Sequence, residues 1–94
     1  MPFQIQDIPM NISKHEQRVL HVLAQGGSIH FKRSTSGKVQ EIICFTRDGH
    51  VLTDCTLRVF ERLKKRKLIR STGGKPYRIT QLGRVCVRPQ LDNR

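Results

Sequence analysis

Tryptophan is missing from this chain of 94 residues, tyrosine occurs once, and phenylalanine four times. So few rings, with most phenylalanines falling at core phase, leave little to stack on bases and argue against a single-stranded RNA-binding module. No long apolar run occurs either. The stretch Val19 to Ala24 is interrupted by His21 and falls far short of the ~18 residues a membrane helix needs, so no membrane partner is expected. Cysteine is sparse and odd in number. Cys44, Cys55 and Cys86 stand in apolar surroundings, without paired spacing and with no secretory leader ahead of them. That pattern excludes a disulfide framework and fits a reduced, cytoplasmic setting in which the cysteines fill core.

Signatures of catalysis fail in turn. His15, His21, His30 and His50 share no ligand spacing with one another or with the cysteines, so neither a metal nor a cofactor is expected. Ser36-Gly37-Lys38 faintly resembles a phosphate loop, but Lys32 stands where the first glycine belongs, Val39 where Ser or Thr is needed, and no helix follows. The expectation is a protein that is not an enzyme and has no small-molecule substrate.

Acid is the scarcest charge. Seven Asp and Glu face eighteen Lys and Arg, for a net charge of +11. Residues 48–94 hold twelve of those cations and four of the acids. Such a field draws phosphate backbones, anionic lipid or acidic protein surfaces, and nucleic acid is the partner it favours. Hydrophobic residues at 36% supply one core, enough for a single domain over 10–94. Residues 1–9 show no period, end in Pro9, and read as a flexible arm.

Ser13-Lys14-His15-Glu16 spells a capping box that starts a helix, Val19, Leu20 and Leu23 repeat at helical spacing, and Gly26-Gly27 stops it. Ile29 and Phe31 alternate with His30 and Lys32, Val39 to Thr46 is β-rich, and Asp48-Gly49 closes a tight turn onto His50-Val51-Leu52. A three-stranded antiparallel meander is the expectation. Thr53 or Asp54 can cap a second helix running through Cys55 to about Lys67. On that helix Thr56, Leu57, Val59, Phe60 and Leu63 share one face, while Arg58, Arg62, Lys65 and Arg66 cluster on the other. Leu68 to Ser71 and Pro76 to Ile79 flank Thr72-Gly73-Gly74-Lys75 as a β-wing. Thr80 can cap a last short turn before Gly83, and Pro89 leads into an extended tail through Arg94.

Helix, basic helix and glycine-tipped hairpin make an α+β, winged-helix-like domain. The meander stands where a helix-turn-helix has its short first helix. The expected contact surface for nucleic acid or partner is Arg58, Arg62, Lys65 and Arg66, joined by Lys75 at the wing tip and by Arg70 and Arg78 on its strands. Lys64 to Lys67, four cations without a break, is what singles the helix out, since solubility alone would intersperse acids.

Five segments carry a family resemblance: Glu16 to Gly27, Asp54 to Phe60, Lys67-Leu68-Ile69, Gly74 to Ile79, and the ending Asp92-Asn93-Arg94. Together they resemble the YjhX family, known also as topoisomerase I inhibitors, over Met10 to Arg94. What the resemblance implies is a bacterial, toxin-like protein that inhibits DNA topoisomerase I and is neutralised by a separate antitoxin protein. The rival expectation is a winged-helix transcription regulator that reads an operator through the basic helix and wing.

Overall fold

In a computed structural model, residues 12–87 are described. The arm expected at 1–9 and the tail expected after Pro89 lie outside the described residues. The first helix, α1 (Lys14–Ala24), is fixed at both ends by its own sequence. The Ser13 hydroxyl accepts the Glu16 amide at 3.1 Å, and the Glu16 carboxylate accepts the Ser13 amide at 2.8 Å, which satisfies two orphan donors at once. At the far end Gly26 takes φ 109°, and the amides of Gly26 and Gly27 reach back to the Leu23 and Val22 carbonyls at 3.0 and 3.1 Å. This is a Schellman stop, and the positive φ is why glycine stands there. Glu16, Val19, Leu20 and Leu23 are the buried residues of α1, a stripe at i, i+3, i+4 and i+7.

β1 (Ser28–Arg33) and β2 (Val39–Phe45) pair antiparallel, from Ser28 against Phe45 to Lys32 against Glu41, with a register shift at Lys32/Arg33. The third strand expected at His50-Val51-Leu52 is reduced to one bridge, Phe45 with Val51, plus the bonds Thr46 amide to His50 carbonyl and Leu52 amide to Cys44 carbonyl. Asp48-Gly49 does close its turn. The strand stops because Val51 is 56% exposed and has no face to bury, and because the chain must turn at once into the next helix.

That helix, α2, is Leu57–Lys65, capped by Thr56, whose hydroxyl accepts the Val59 amide at 3.2 Å. It is shorter than expected. Neither Thr53 nor Asp54 is the cap, because Cys55 is already buried ahead of the helix. Phe60 and Leu63 are fully buried and anchor α2, while Val59 is half-buried and Leu57 lies exposed.

β3 (Ile69–Arg70) and β4 (Arg78–Ile79) form the second hairpin, Ile69 opposite Ile79 and Arg70 opposite Arg78. Tyr77 joins the two sheets by exchanging amide bonds with Ile29 at 3.0 and 2.8 Å. Its ring is T-shaped to Phe60 at 4.9 Å and to Phe31 at 5.2 Å, so the one tyrosine is a core residue. α3 (Gln81–Cys86) is capped by Thr80 and runs through Gly83 instead of stopping before it. A side chain at Gly83 would collide with the Leu68 carbonyl and Ile79, so this glycine serves close approach. Among the described residues the molecule is α+β, with three helices and two two-stranded antiparallel sheets.

Candidate nucleic-acid or partner interface

α2 turns its cations outward because Phe60 and Leu63 turn in. Lys64 and Lys65 fall in its last turn and Arg66 is its C-cap, where cations oppose the negative end of the helix dipole. Lys67 follows at φ 62°. Its amide reaches the Lys64 carbonyl and the Leu68 amide reaches the Leu63 carbonyl, both at 3.0 Å. This is the same stop as in α1, built with a lysine where α1 has glycine.

Along α2 runs a broad, shallow groove of about 870 Å³, walled on its other side by Lys38 and Val39 at the start of β2. Of the four helix cations proposed from the sequence, Arg58, Arg62 and Lys65 line it and Arg66 does not; Lys64 and Lys67 line it as well. Glu61 is the acid in that lining and Leu57 its exposed apolar residue. The contribution of Lys38 was not legible in the sequence, because only the fold of the first hairpin brings β2 beside α2. Arg70, Lys75 and Arg78 are not among the groove residues. All three are exposed on the β3–β4 hairpin, and Arg78 also extends a guanidinium to the Gly26 carbonyl at 3.5 Å.

Two of the expected contact residues have work inside the molecule. Glu16 is fully buried, and its carboxylate accepts the Arg62 guanidinium at 2.5 Å and that of Arg66 at 3.5 Å. Burial alone would raise its pKa, but the Ser13 amide, the Arg62 hydrogen bond and the charges of Arg62 and Arg66 outweigh it and hold the carboxyl below its ordinary value. Arg66 is accordingly only half-exposed. Intramolecular packing therefore explains part of what the cationic phase alone ascribed to a partner. Arg58 and Lys65 are exposed without such a tie. Sequence reasoning used Glu16 only as a cap, although its place on the Val19, Leu20, Leu23 stripe marked it for burial.

Cys44 and Cys55 are free, buried thiols; the hydrogen bond between them, with burial, pushes the Cys55 thiol far up, while the same bond lowers Cys44 against its own burial. Burial raises Cys86 as well, with Arg66 offsetting part of it. Among the described residues no three or more His, Cys, Asp or Glu gather as a metal site, and no helix is long and apolar enough to cross a membrane.

A family profile described as "Putative toxin of bacterial toxin-antitoxin pair" matches residues 10–94. The chain is 59% identical to a UPF0386 protein of Beijerinckia indica over 85 residues, 90% of this chain and all of that one. It is 54% identical to a UPF0386 protein of Ruegeria sp. over 90% of this chain and all of the relative. A UPF0386 protein of Caulobacter vibrioides is 56% identical over 90% of this chain and 93% of its own length. No solved structure matches.

Proposed function

The chain belongs to the YjhX toxin family, and from that premise we propose that it is a non-catalytic toxin that inhibits DNA topoisomerase I by binding it, with DNA assisting the contact. The observation that carries this reading is the groove along α2, lined by six cations and one acid on a helix pinned to the core by Phe60 and Leu63. The target follows from the family resemblance. The mode follows from charge: a +11 protein is repelled by the cationic groove in which a topoisomerase holds DNA, so it does not plug that groove. It docks on an acidic patch of the enzyme or meets the enzyme on DNA, in the cytoplasm, and its antitoxin covers it when it is silent.

A winged-helix regulator is the second reading, favoured by a hairpin that follows a basic helix. Its strands are two residues each, and the β1–β2 hairpin separates α1 from α2, which leaves it less support. Capture of topoisomerase I by the purified chain, with and without nuclease, tests the proposal. Capture that survives nuclease fits direct docking, capture lost on nuclease treatment fits the DNA-assisted contact, and no capture overturns inhibition by binding. On DNA alone, Arg58→Ala with Lys65→Ala should flatten the slope of log affinity against log salt by ~2 on any sequence.

A further inference from the structure

The groove along α2 is not uniformly cationic, and its mixture selects a partner. Leu57, at the first position of α2, is 38% exposed among the lysines and arginines of the groove, and Val39, itself buried, lies in the opposite wall. Leu57 is one of five exposed large apolar side chains among the described residues and the one that lies in the cationic groove, where a phosphate backbone gains nothing by covering it. Glu61 stands in the same lining. An evenly charged polyanion meets that carboxylate unavoidably, whereas a peptide can set an apolar or basic side chain against it.

We propose that this groove seats an acidic, amphipathic segment of the antitoxin, its carboxylates on Lys38, Arg58, Lys64 and Lys65 and an aliphatic side chain on Leu57. The assignment deepens the reading of the α2 face as the working surface and rests on it: an antitoxin that occupies the groove blocks the surface by which the toxin acts. Charge complementarity supplies the encounter, and the leucine supplies selectivity among acidic partners. An antitoxin able to distinguish this surface from nucleic acid needs such an element, because cations alone bind both.

The test uses the full chain, ¹⁵N-labelled, with three probes at fixed salt: a helical glutamate-rich peptide bearing leucines on one face, its leucine-to-serine counterpart of equal charge, and a DNA duplex. The leucine peptide should shift the amides around Val39 and Leu57 and bind about tenfold more tightly than the serine peptide, the scale of a partly exposed leucine being covered. Leu57→Ser should erase that tenfold difference and leave duplex affinity unchanged. Because Leu57 is exposed at a helix start, the variant should keep its fold, which a melting curve checks; Leu57→Ala serves in its place if it does not. Equal affinity for the two peptides, amide shifts confined to Arg70 to Arg78, or equal loss of peptide and duplex binding in the variant would each overturn the proposal. Leucine selectivity is read without topoisomerase, so its failure is separate from failure of topoisomerase capture.

Discussion

α1 and α2 are built on one plan and spent differently. Each begins at a hydroxyl cap, Ser13 or Thr56, and each ends in a Schellman stop. α1 takes the stable choice at both ends: a glutamate completes the capping box, and Gly26 fills the left-handed site. α2 has no acid in its first turn, and Lys67 occupies the left-handed site at φ 62°, a conformation that costs a non-glycine residue ~1 kcal/mol or more. Where helix stability and surface charge conflict, α1 keeps stability and α2 keeps charge. The two are then joined, since the glutamate that caps α1 also accepts Arg62 and Arg66 of α2.

The harshest way to break this comparison is to detach α2. Phe60→Ala removes a fully buried ring in edge contact with Tyr77 and should cost ~3–5 kcal/mol in urea unfolding; wild-type stability would mean that α2 is not anchored as described. Severing the link comes next. Glu16→Gln keeps the shape but discards the charge beneath Arg62 and Arg66, and should cost ~1–3 kcal/mol at neutral pH. Its pH dependence sharpens the point. The folded carboxyl titrates below the ordinary glutamate value, so the native state binds fewer protons, and the stability it contributes is present above the unfolded pKa and lost as pH falls through the folded pKa. Acid unfolding should therefore be shallower in Glu16→Gln, and an unchanged acid limb would remove the pair from the account.

Smaller effects test the caps. Ser13→Ala removes the hydroxyl that accepts the Glu16 amide and keeps the backbone amide that donates to the Glu16 carboxylate, while Thr56→Ala removes the hydroxyl that accepts the Val59 amide, so each should lower stability in thermal melting by ~0.5–2 kcal/mol. The smallest change has the opposite sign. Lys67→Gly relieves the left-handed lysine and should raise stability by up to ~1 kcal/mol; a lower midpoint would contradict the claim that α2 forgoes stability at that position.

Local signals were legible in the sequence. The capping box, the glycine stop of α1, the antiparallel first hairpin and the inward phase of Phe60 and Leu63 all follow from spacing and turn chemistry. What escaped is tertiary. Thr56, not Thr53 or Asp54, caps α2 because Cys55 packs first. The third strand shrank to a bridge because Val51 has no face to bury, and Gly83 reads as a helix stop until Leu68 is seen against it. The expected contact residues divide in the same way: Arg58 and Lys65 are exposed as their phase implies, while the Glu16 link to Arg62 and Arg66 and the place of Lys38 in the groove depend on residues far apart in the chain.

The central claim is that the cationic face of α2 is the working surface, and charge reversal of Arg58 and Lys65 together tests it most directly, because neither is tied to Glu16. The Arg58→Glu, Lys65→Glu protein should keep a melting curve within about 0.5 kcal/mol of wild type and lose both capture and inhibition of topoisomerase I. A stable Arg58→Glu, Lys65→Glu protein that still captures and inhibits the enzyme would contradict it.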